Sequence, residues 1–311
     1  MIDLPPRLAL TVGPVLYHWP RQQLFDFYAE VADSAADSVV LGQTVCSRRR
    51  ELKPDDWLAL ARELAAQGKD VVLATQTLVE SEADLRALRQ QVEQFTGLLE
   101  AGDASALQLL AGKAPFVIGP HINIYSRPAL LEHAKLGAVR WVAPAELSLA
   151  ALAQINPPGA PVHSLAGTPI ATEVLAFGRL SLAFSARCFT ARHHHLHKDD
   201  CAYRCIDDPD GLLLASGEGQ PFLVLNGTQT QSAAYHCLIG EAAALRAAGV
   251  TRLRLSPQSQ GFAHVLATFD GAMNHGASAA EALLAIEATH LSGGLSNGFA
   301  HQRPGLDWVN A

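Results

Sequence analysis

The sequence predicts an α/β protein, and within that class a (β/α)8-like barrel of the TIM type. Short apolar segments rich in β-branched residues recur along the 311-residue chain, and most are bounded by glycine or proline. Amphipathic helical patterns lie between many of them, an alternation typical of a parallel sheet covered on both faces. No G-x-G-x-x-G motif follows the first segment, as it would in a doubly wound dinucleotide-binding sheet. We therefore expect a closed barrel with one irregular unit.

The candidate strands are short, and several are continuously apolar rather than alternating, which indicates burial on both faces. Their spacing leaves room for a helical crossover between most neighbours. The segments are residues 8–12, 38–45, 70–75, 106–111, 116–120, 140–144, 161–165, 222–227 and 252–256.

Helical periodicity supports the β-α alternation. Apolar residues recur at three- and four-residue steps in 24–31, 58–65 and 85–99. The third pattern begins with Ser81-x-x-Asp84, the signature of a capped helix start. The stretch 231–249 also predicts a helix, which would contain Cys237 and end at a glycine.

Residues 171–222 depart from this alternation. ATEVLAFGRLSLAFSARCF (171–189) predicts two strands joined by a turn, and a polar, cysteine-bearing stretch follows it. Turn residues then flank one more short strand. We interpret 171–222 as a strand-rich insertion on the C-terminal rim of the barrel. No polar linker divides the chain, so we predict one domain over residues 1–311.

Composition argues against several classes of function. The formal net charge is −7, which disfavours a nucleic-acid-binding surface. No run of eighteen apolar residues occurs, so we predict no membrane span. The amino terminus lacks the basic region and cleavage site of a secretory signal, which predicts a cytoplasmic protein. Cysteines stay reduced in that compartment, so clustered ones are candidate metal or redox ligands.

The stretch CFTARHHHLHKDDCAYRC holds three of the five cysteines. Cys188, Cys201 and Cys205 form a C-x12-C-x3-C pattern, from which three thiolates can converge on one ion or cluster. Zinc and iron–sulfur clusters both favour thiolates. Zinc sites usually contain paired C-x2-C knuckles, which this chain lacks, so the spacing favours a cluster.

A fourth ligand has to come from elsewhere in the chain, and two cysteines are candidates. Cys46 follows a predicted barrel strand and should stand on the C-terminal rim, where barrel enzymes place their chemistry. Cys237 lies in a predicted helix, and a lone cysteine is usually a small buried hydrophobe. We therefore favour Cys46 over Cys237.

Basic residues near these cysteines have two interpretations each. The histidines of 193–197 resemble a metal-chelating tract, but adjacent histidines cannot all face one ion, so an exposed loop is favoured. Arg48, Arg49 and Arg50 follow Cys46 and are candidates for binding a carboxylate or a partner protein. Surface charges of this kind are common, and that interpretation is favoured over function.

Polar residues after other predicted strands are candidates for binding substrate. His121 and Asn123 follow an apolar strand and should face the rim pocket, although a turn histidine and asparagine would show the same pattern. Ser256 ends the last barrel strand. His18-Trp19 follows the first strand, where a tryptophan that covers the core is favoured over one that stacks on a ligand.

Four segments carry a resemblance to a known family. They resemble the collagenase-like peptidase (U32) superfamily, and the similarity extends along essentially the whole chain. Within it, they are most similar to a branch whose members pair with a sister protein and support oxygen-independent hydroxylation of the ubiquinone ring. The segments are GPVLYHWP (13–20), LGQTVCSRRREL (41–52), EVLAFGRLSLAFSARCFTAR (173–192) and LSPQ (255–258).

The resemblance implies a cofactor, partners and a reaction. Each protein of such a pair is understood to carry one 4Fe-4S cluster on four cysteines, which here correspond to Cys46, Cys188, Cys201 and Cys205. The implied partners are a sister subunit, a quinone precursor and a lipid-carrier protein, with prephenate as oxygen donor by analogy. A non-catalytic scaffold in the same complex, a peptidase and an RNA hydroxylase are the alternatives, and the net charge disfavours the last.

The sequence also departs from the wider superfamily. Typical members show a histidine-glycine step followed by a C-x6-C pair, where this chain has Phe177-Gly178 and then Ser181 seven residues before Cys188. One usual ligand is therefore missing, and Cys46 is its expected replacement. Neither an HExxH motif nor a Ser/His/Asp set is apparent, so we do not expect an active peptidase.

Overall fold

A closed barrel of eight parallel strands forms the body of the protein in the computed structural model, which describes residues 5–289 and 291–310. Neighbouring barrel strands follow chain order from β1 to β7, and β11 closes the ring by pairing with both β7 and β1. The strands are β1 (Ala9–Val12), β2 (Ser38–Leu41), β3 (Asp70–Ala74), β4 (Leu98–Ala101), β5 (Phe116–Ile118), β6 (Ala138–Val142), β7 (Ala171–Phe184), β8 (Leu212–Ala215), β9 (Pro221–Asn226), β10 (Gln229–Cys237), β11 (Arg252–Leu255) and β12 (Leu295–Ser296).

Helices connect the strands, and several begin at side chains that cap their free N–H groups. Ser126 and Ser148 each accept a hydrogen bond from the backbone N–H three residues later, as does Asp103. None of the helices in the described ranges is long and apolar enough to cross a membrane. The helices are α1 (Arg21–Ala32), α2 (Pro54–Ala66), α3 (Glu82–Gln94), α4 (Ala104–Leu110), α5 (Arg127–Lys135), α6 (Leu149–Ile155), α7 (Phe189–His193), α8 (Ala242–Ala247), α9 (Phe262–Asn274) and α10 (Ala279–Glu287).

Strand β7 leaves the barrel at Gly178 and continues into an antiparallel extension. Its first half pairs with β6 and β11, and its second half pairs with β10, which in turn pairs with β9. Gly178 has a φ of +131°, and a Cβ built there would lie 2.4 Å from the Cβ of Ser256. Only glycine combines this backbone with this close approach, so the exit of β7 from the barrel requires it.

The barrel interior contains a buried ion-pair network. Arg254 donates to both oxygens of Glu100, with Nη1–Oε1 and Nη2–Oε2 distances of 3.0 and 2.5 Å, and its Nε donates to Glu173 at 2.6 Å. Arg140 and Arg252 approach the other oxygen of Glu173 at 3.5 and 3.7 Å. Burial raises the pKa of Glu173, but the three guanidinium groups outweigh it, and the net pKa is lowered. The carboxylate is therefore charged and held from several sides.

The network continues toward the N-terminal end of the barrel. Arg140 donates to Asp70 at 2.6 Å, and Arg252 lies 3.4 Å from the same carboxylate.

A smaller apolar cluster of valine and alanine side chains lies between strands β2, β3, β5 and β6. The cluster consists of Val40, Val72, Ala74, Val117 and Val142.

The predicted barrel is confirmed, although several of its elements were assigned wrongly. Residues 106–111 lie mostly in helix α4 instead of a strand, and 161–165 contribute a single bridge at His163. The fourth barrel strand is β4, which the helical pattern of 85–99 partly overlapped. Segment 222–227 is a strand, but it lies in the extension outside the barrel.

The helix predicted for 231–249 is also wrong. Residues through Cys237 form β10, and α8 begins at Ala242. Alternation of apolar and polar residues does not identify β10 as a strand, because every one of its residues is buried. The strand-rich insertion therefore begins at Gly178 and reaches Cys237, whereas 171–177 belongs to the barrel. One sheet joins the barrel and the extension. The domain predicted for residues 1–311 also includes residues 1–4, 290 and 311, which lie outside the described residues.

Replacing Glu173 with Gln should destabilise the fold by about 3–5 kcal/mol, because the surrounding arginines lose a buried counter-charge. Since folding lowers the pKa of Glu173, the stabilisation is present at neutral pH and is lost as pH falls toward the folded pKa. Urea unfolding at several pH values measures both effects.

The matched control is Glu132→Gln, which breaks an exposed ion pair with Lys135 and should change the unfolding free energy by less than about 1 kcal/mol. Equal effects of the two substitutions would contradict a role for the buried network.

Candidate functional site

A pocket of about 290 Å³ opens at the C-terminal end of the barrel. TIM-type enzymes place their chemistry at this end, and the volume is close to the lower limit for small-molecule sites. We call this cavity the barrel mouth. Residues that follow successive barrel strands line it, among them Gly13, Thr44, Thr75, Gly102, Pro120, Ala143 and Ser256.

Several polar groups point into the barrel mouth. Glu100 and Arg254 of the ion-pair network line it, and so do His121 and Asn123, as their position after a strand predicted. Burial, followed by the charge of Arg254, lowers the pKa of His121 to about 4, so its ring is neutral near pH 7. The buried Thr44 hydroxyl has no hydrogen-bond partner in the part of the chain that the structure describes. A bound polar group could satisfy it.

Four cysteines line a second, smaller cavity on the same rim. Cys46 comes from the loop after β2, and Cys188, Cys201 and Cys205 come from the segment that follows β7. All are free thiols. Burial raises the pKa of Cys188, the N–H of Ala191 partly offsets this at 3.4 Å from the sulfur, and the other three cysteines raise it further. We call this cavity the cysteine site.

A tight turn brings Cys201 and Cys205 to the same cavity. Ala202 and Tyr203 have φ values of +48° and +53°, two successive non-glycine residues in the left-handed region. Such backbone strain occurs mostly where the surrounding structure enforces it, often at functional sites. Cys188 is the N-cap of α7, so its position is set by the start of that short helix.

The donor set of the cysteine site is four thiols around one cavity, which are the ligands that a 4Fe-4S cluster takes. In residues 5–289 and 291–310, no three side chains of His, Cys, Asp or Glu are arranged to hold one metal ion. A cubane cluster needs one thiolate for each of four separate irons, so its ligands need only surround a common cavity. Cationic side chains line the cavity beside the sulfurs, where they would balance the charge of four thiolates. These are Arg48, Arg49, Lys198 and Arg204.

Cys205 has two further neighbours that the sequence did not indicate. His18 is buried, and its Nδ1 lies 3.5 Å from the sulfur of Cys205. Burial raises the pKa of the Cys205 thiol, and the Arg49 guanidinium lowers it by a smaller amount.

Trp19 is buried as predicted and donates to the carbonyl of Pro209 at 2.6 Å.

Arg49 is buried, so the favoured interpretation of the three arginines as surface charges is wrong for this residue. Its Nη1 donates to the carbonyl of Leu16 at 2.7 Å, and a Cβ at Gly227 would lie 2.6 Å from its Nη2. Arg48 binds the side chain and carbonyl of Asp199 at 2.7 Å each. The contacts of Arg49 come from distant segments, which local sequence cannot show.

A chain of buried and partly buried hydrogen bonds connects the cysteine site with the barrel mouth. Arg49 Nη2 donates to Asn226 Oδ1 at 2.8 Å, and Asn226 Nδ2 donates to Gln229 Oε1 at 3.0 Å. Gln229 Nε2 then donates to the Ser181 hydroxyl at 2.6 Å. Ser181 lines the barrel mouth, and Arg49 lines the cysteine site. The two cavities are therefore joined through side chains of β9, β10 and β7.

The remaining candidates do not line the cysteine site. His193, His195 and His197 are exposed and His194 is half-buried, in agreement with the favoured loop interpretation. Cys237 is buried in β10, where burial raises its pKa to about 12. It behaves as a small core residue, as we expected.

Comparison with known proteins identifies the family. The model for peptidase family U32 matches residues 25–310. The chain belongs to the U32 peptidase family. Among solved structures, it is similar to the U32 peptidase Mk0906, with 10% identity, 83% of this chain and 96% of that chain covered, and a TM-score of 0.43. It is also similar to the phospho-2-dehydro-3-deoxyheptonate aldolase of Thermotoga maritima, with 12% identity and a TM-score of 0.41. That match covers 80% of this chain and 60% of the aldolase chain.

Replacing Asn226 with Leu should destabilise this U32 protein by about 2–3 kcal/mol, because Arg49 and Gln229 lose buried partners. Chemical denaturation measures the change. The control is Asn123→Leu at the exposed rim, with an expected effect within about 0.5 kcal/mol. An equally small effect for Asn226→Leu would show that the chain of hydrogen bonds contributes nothing.

The His121 ring should titrate near pH 4, well below an ordinary histidine. Because folding lowers this pKa, protonation opposes folding, and stability should fall as pH drops from about 6.5 toward 4. NMR titration of the ring, assigned with His121→Asn, measures the midpoint. The variant should also lose less stability in acid, and a midpoint above pH 6 would contradict burial of the ring.

Proposed function

We propose that the protein is a UbiV-type subunit, a 4Fe-4S protein that works with a UbiU-like sister subunit in oxygen-independent hydroxylation of the ring of ubiquinone precursors. One observation carries the proposal: cysteines from two distant stretches, at position 46 and at 188–205, line a single cavity. The family name alone would suggest hydrolysis of peptides. Four thiols around one cavity instead suit an iron–sulfur cluster, and the lack of C-x2-C pairs in the chain disfavours zinc.

The surroundings of the cysteine site suit such a cofactor. When bound, a 4Fe-4S cluster supplies one-electron transfer, and with all four irons bound to cysteine it has no open position for the oxygen donor. Arg49 and His18 lie beside Cys205, where they would tune the electron density on that sulfur. The residues of this chain would therefore hold the cluster and shield it, and the substrate would bind elsewhere.

The barrel mouth is the proposed site for the aromatic ring. Its volume of about 290 Å³ suits a ring-sized molecule, and neutral His121 and the Thr44 hydroxyl can orient polar ring substituents. The chain from Arg49 to Ser181 connects this site to Cys205. Prephenate as oxygen donor, a cytoplasmic location and a lipid-carrier protein that presents the precursor belong to the same proposal.

A panel of cysteine substitutions tests the cofactor. Anaerobically purified protein should be brown, with about four irons and four sulfides per chain. Changing Cys46, Cys188, Cys201 or Cys205 to Ala should each reduce the iron and sulfide content severalfold, because each removes one thiolate. Cys237→Ala is the matched control and should keep the full complement, since Cys237 is buried in β10. A colourless wild-type protein loaded with zinc would overturn the proposal.

The same panel separates an electron-transfer role from a scaffold role. Cys201→Ala should abolish hydroxylation by the complex while the sister subunit still binds, if the cluster serves redox chemistry. Loss of binding to the sister subunit, measured by anaerobic co-purification, would instead favour a scaffold.

Peptide turnover by the metal-free protein should be absent.

A further inference from the structure

A second large cavity lies on the outside of the barrel, between helices α2 and α3. Its volume is about 500 Å³, larger than the barrel mouth and within the usual range for small-molecule sites. We call it the α2–α3 cleft. Its lining is mainly apolar and includes Leu52, Trp57, Leu58, Leu73, Val79 and Leu88.

The cleft exists because α3 packs loosely on the barrel. Leu88 is its one fully buried residue, whereas α2 buries Leu60, Ala61 and Leu64. The small side chains of Ala83 and Ala87 stand on the cleft side of α3, one turn apart. Larger residues at these two positions would fill the space, so the sequence leaves it open.

The cleft and the barrel mouth share a wall of two loops. In the loop after β2, Gln43 lines the cleft and Thr44 lines the mouth. In the loop after β3, Gln76 lines the cleft while Thr75 and Thr77 line the mouth. The N–H of Thr77 donates to the carbonyl of Thr44 at 3.1 Å and joins these loops. Only these two loops therefore separate a ligand in the mouth from the cleft.

The cationic residues that line the cleft, Arg50 and Lys53, both come from the segment that follows Cys46, as does Ser47. The α3 side of the lining carries Asp84 and several glutamines instead. Within the described residues, neither Arg50 nor Lys53 takes part in an ion pair, although their stems border an apolar surface. Long cationic side chains at such an edge favour an amphiphile with a polar or anionic end.

We propose that the α2–α3 cleft binds the apolar chain of an amphipathic substrate whose ring enters the barrel mouth. The inference deepens the proposed function by assigning a place to the substrate's tail, and it rests on that function only for the identity of the ring. A single chain suits a cleft with small alanines on one wall and leucines on the other. Burial of the chain would supply about 0.8 kcal/mol per methylene group.

Quenching of tryptophan fluorescence by 9,10-dibromostearate tests the cleft directly on the full-length chain. Trp57 lines the cleft, whereas Trp19 and Trp141 are almost completely buried elsewhere. The fourth tryptophan, Trp308, is half-buried and is not part of the cleft lining. Quenching should saturate, and it should largely disappear in Trp57→Phe, which removes the reporter in the cleft.

Two matched substitutions locate the binding site. Ala87→Phe places a ring in the cleft from an exposed helix position and should weaken binding at least tenfold. Ala280→Phe makes the same change at an exposed position of α10 and should leave binding unchanged. Unsaturable quenching, quenching that survives in Trp57→Phe, or equal affinity in Ala87→Phe would each overturn the inference.

The outcome is independent of the cysteine panel, because binding of the fatty acid requires neither iron nor the sister subunit. Saturable, cleft-dependent quenching in a protein that holds no cluster would leave the inference standing and remove the proposed function. If Ala87→Phe instead loses only the sister subunit and binds the fatty acid normally, the cleft is a protein interface and the inference is wrong.

Discussion

The continuation of β7 out of the barrel is the constraint on which the rest of the structure depends. Phe177 pairs with Leu255 of the barrel on one side and with Cys237 of the extension on the other. The next residue has to turn the strand while lying against Ser256, and only Gly178 fits there. A side chain at this point would push the extension away from the barrel, and the cysteines that follow would move with it.

The extension then builds both candidate sites at once. Ser181 of β7 contributes to the wall of the barrel mouth, and Cys188 begins the segment that completes the cysteine site. Asn226 and Gln229 belong to the same extension. Their hydrogen bonds join Arg49 of the cysteine site to Ser181 of the barrel mouth and so help to fix the position of one cavity relative to the other. Part of each site is therefore held by one sheet, which is more rigid than separate loops would be.

The barrel interior is stabilised in an unusual way for this fold. Such barrels are commonly filled by bulky branched side chains, whereas here Arg254, Glu100 and Glu173 form buried ion pairs. Their charges are almost completely withdrawn from water, so each depends on its partners. Glu100 and Arg254 also line the barrel mouth, where Arg254 helps to keep His121 neutral.

The sequence alone determined the class of fold, the rim position of Cys46 and the C-x12-C-x3-C spacing, because strand patterns, turns and spacings are local. Arg252 and Arg254 stand at every second position of β11, the spacing of strand residues that face the same side. This spacing is a signal from which the ion-pair network could have been predicted. Only the tertiary structure decided that Arg49 is buried, that β10 is a strand and that a cleft opens beside α3. These features depend on contacts between segments far apart in the chain, and local patterns carry no record of such contacts.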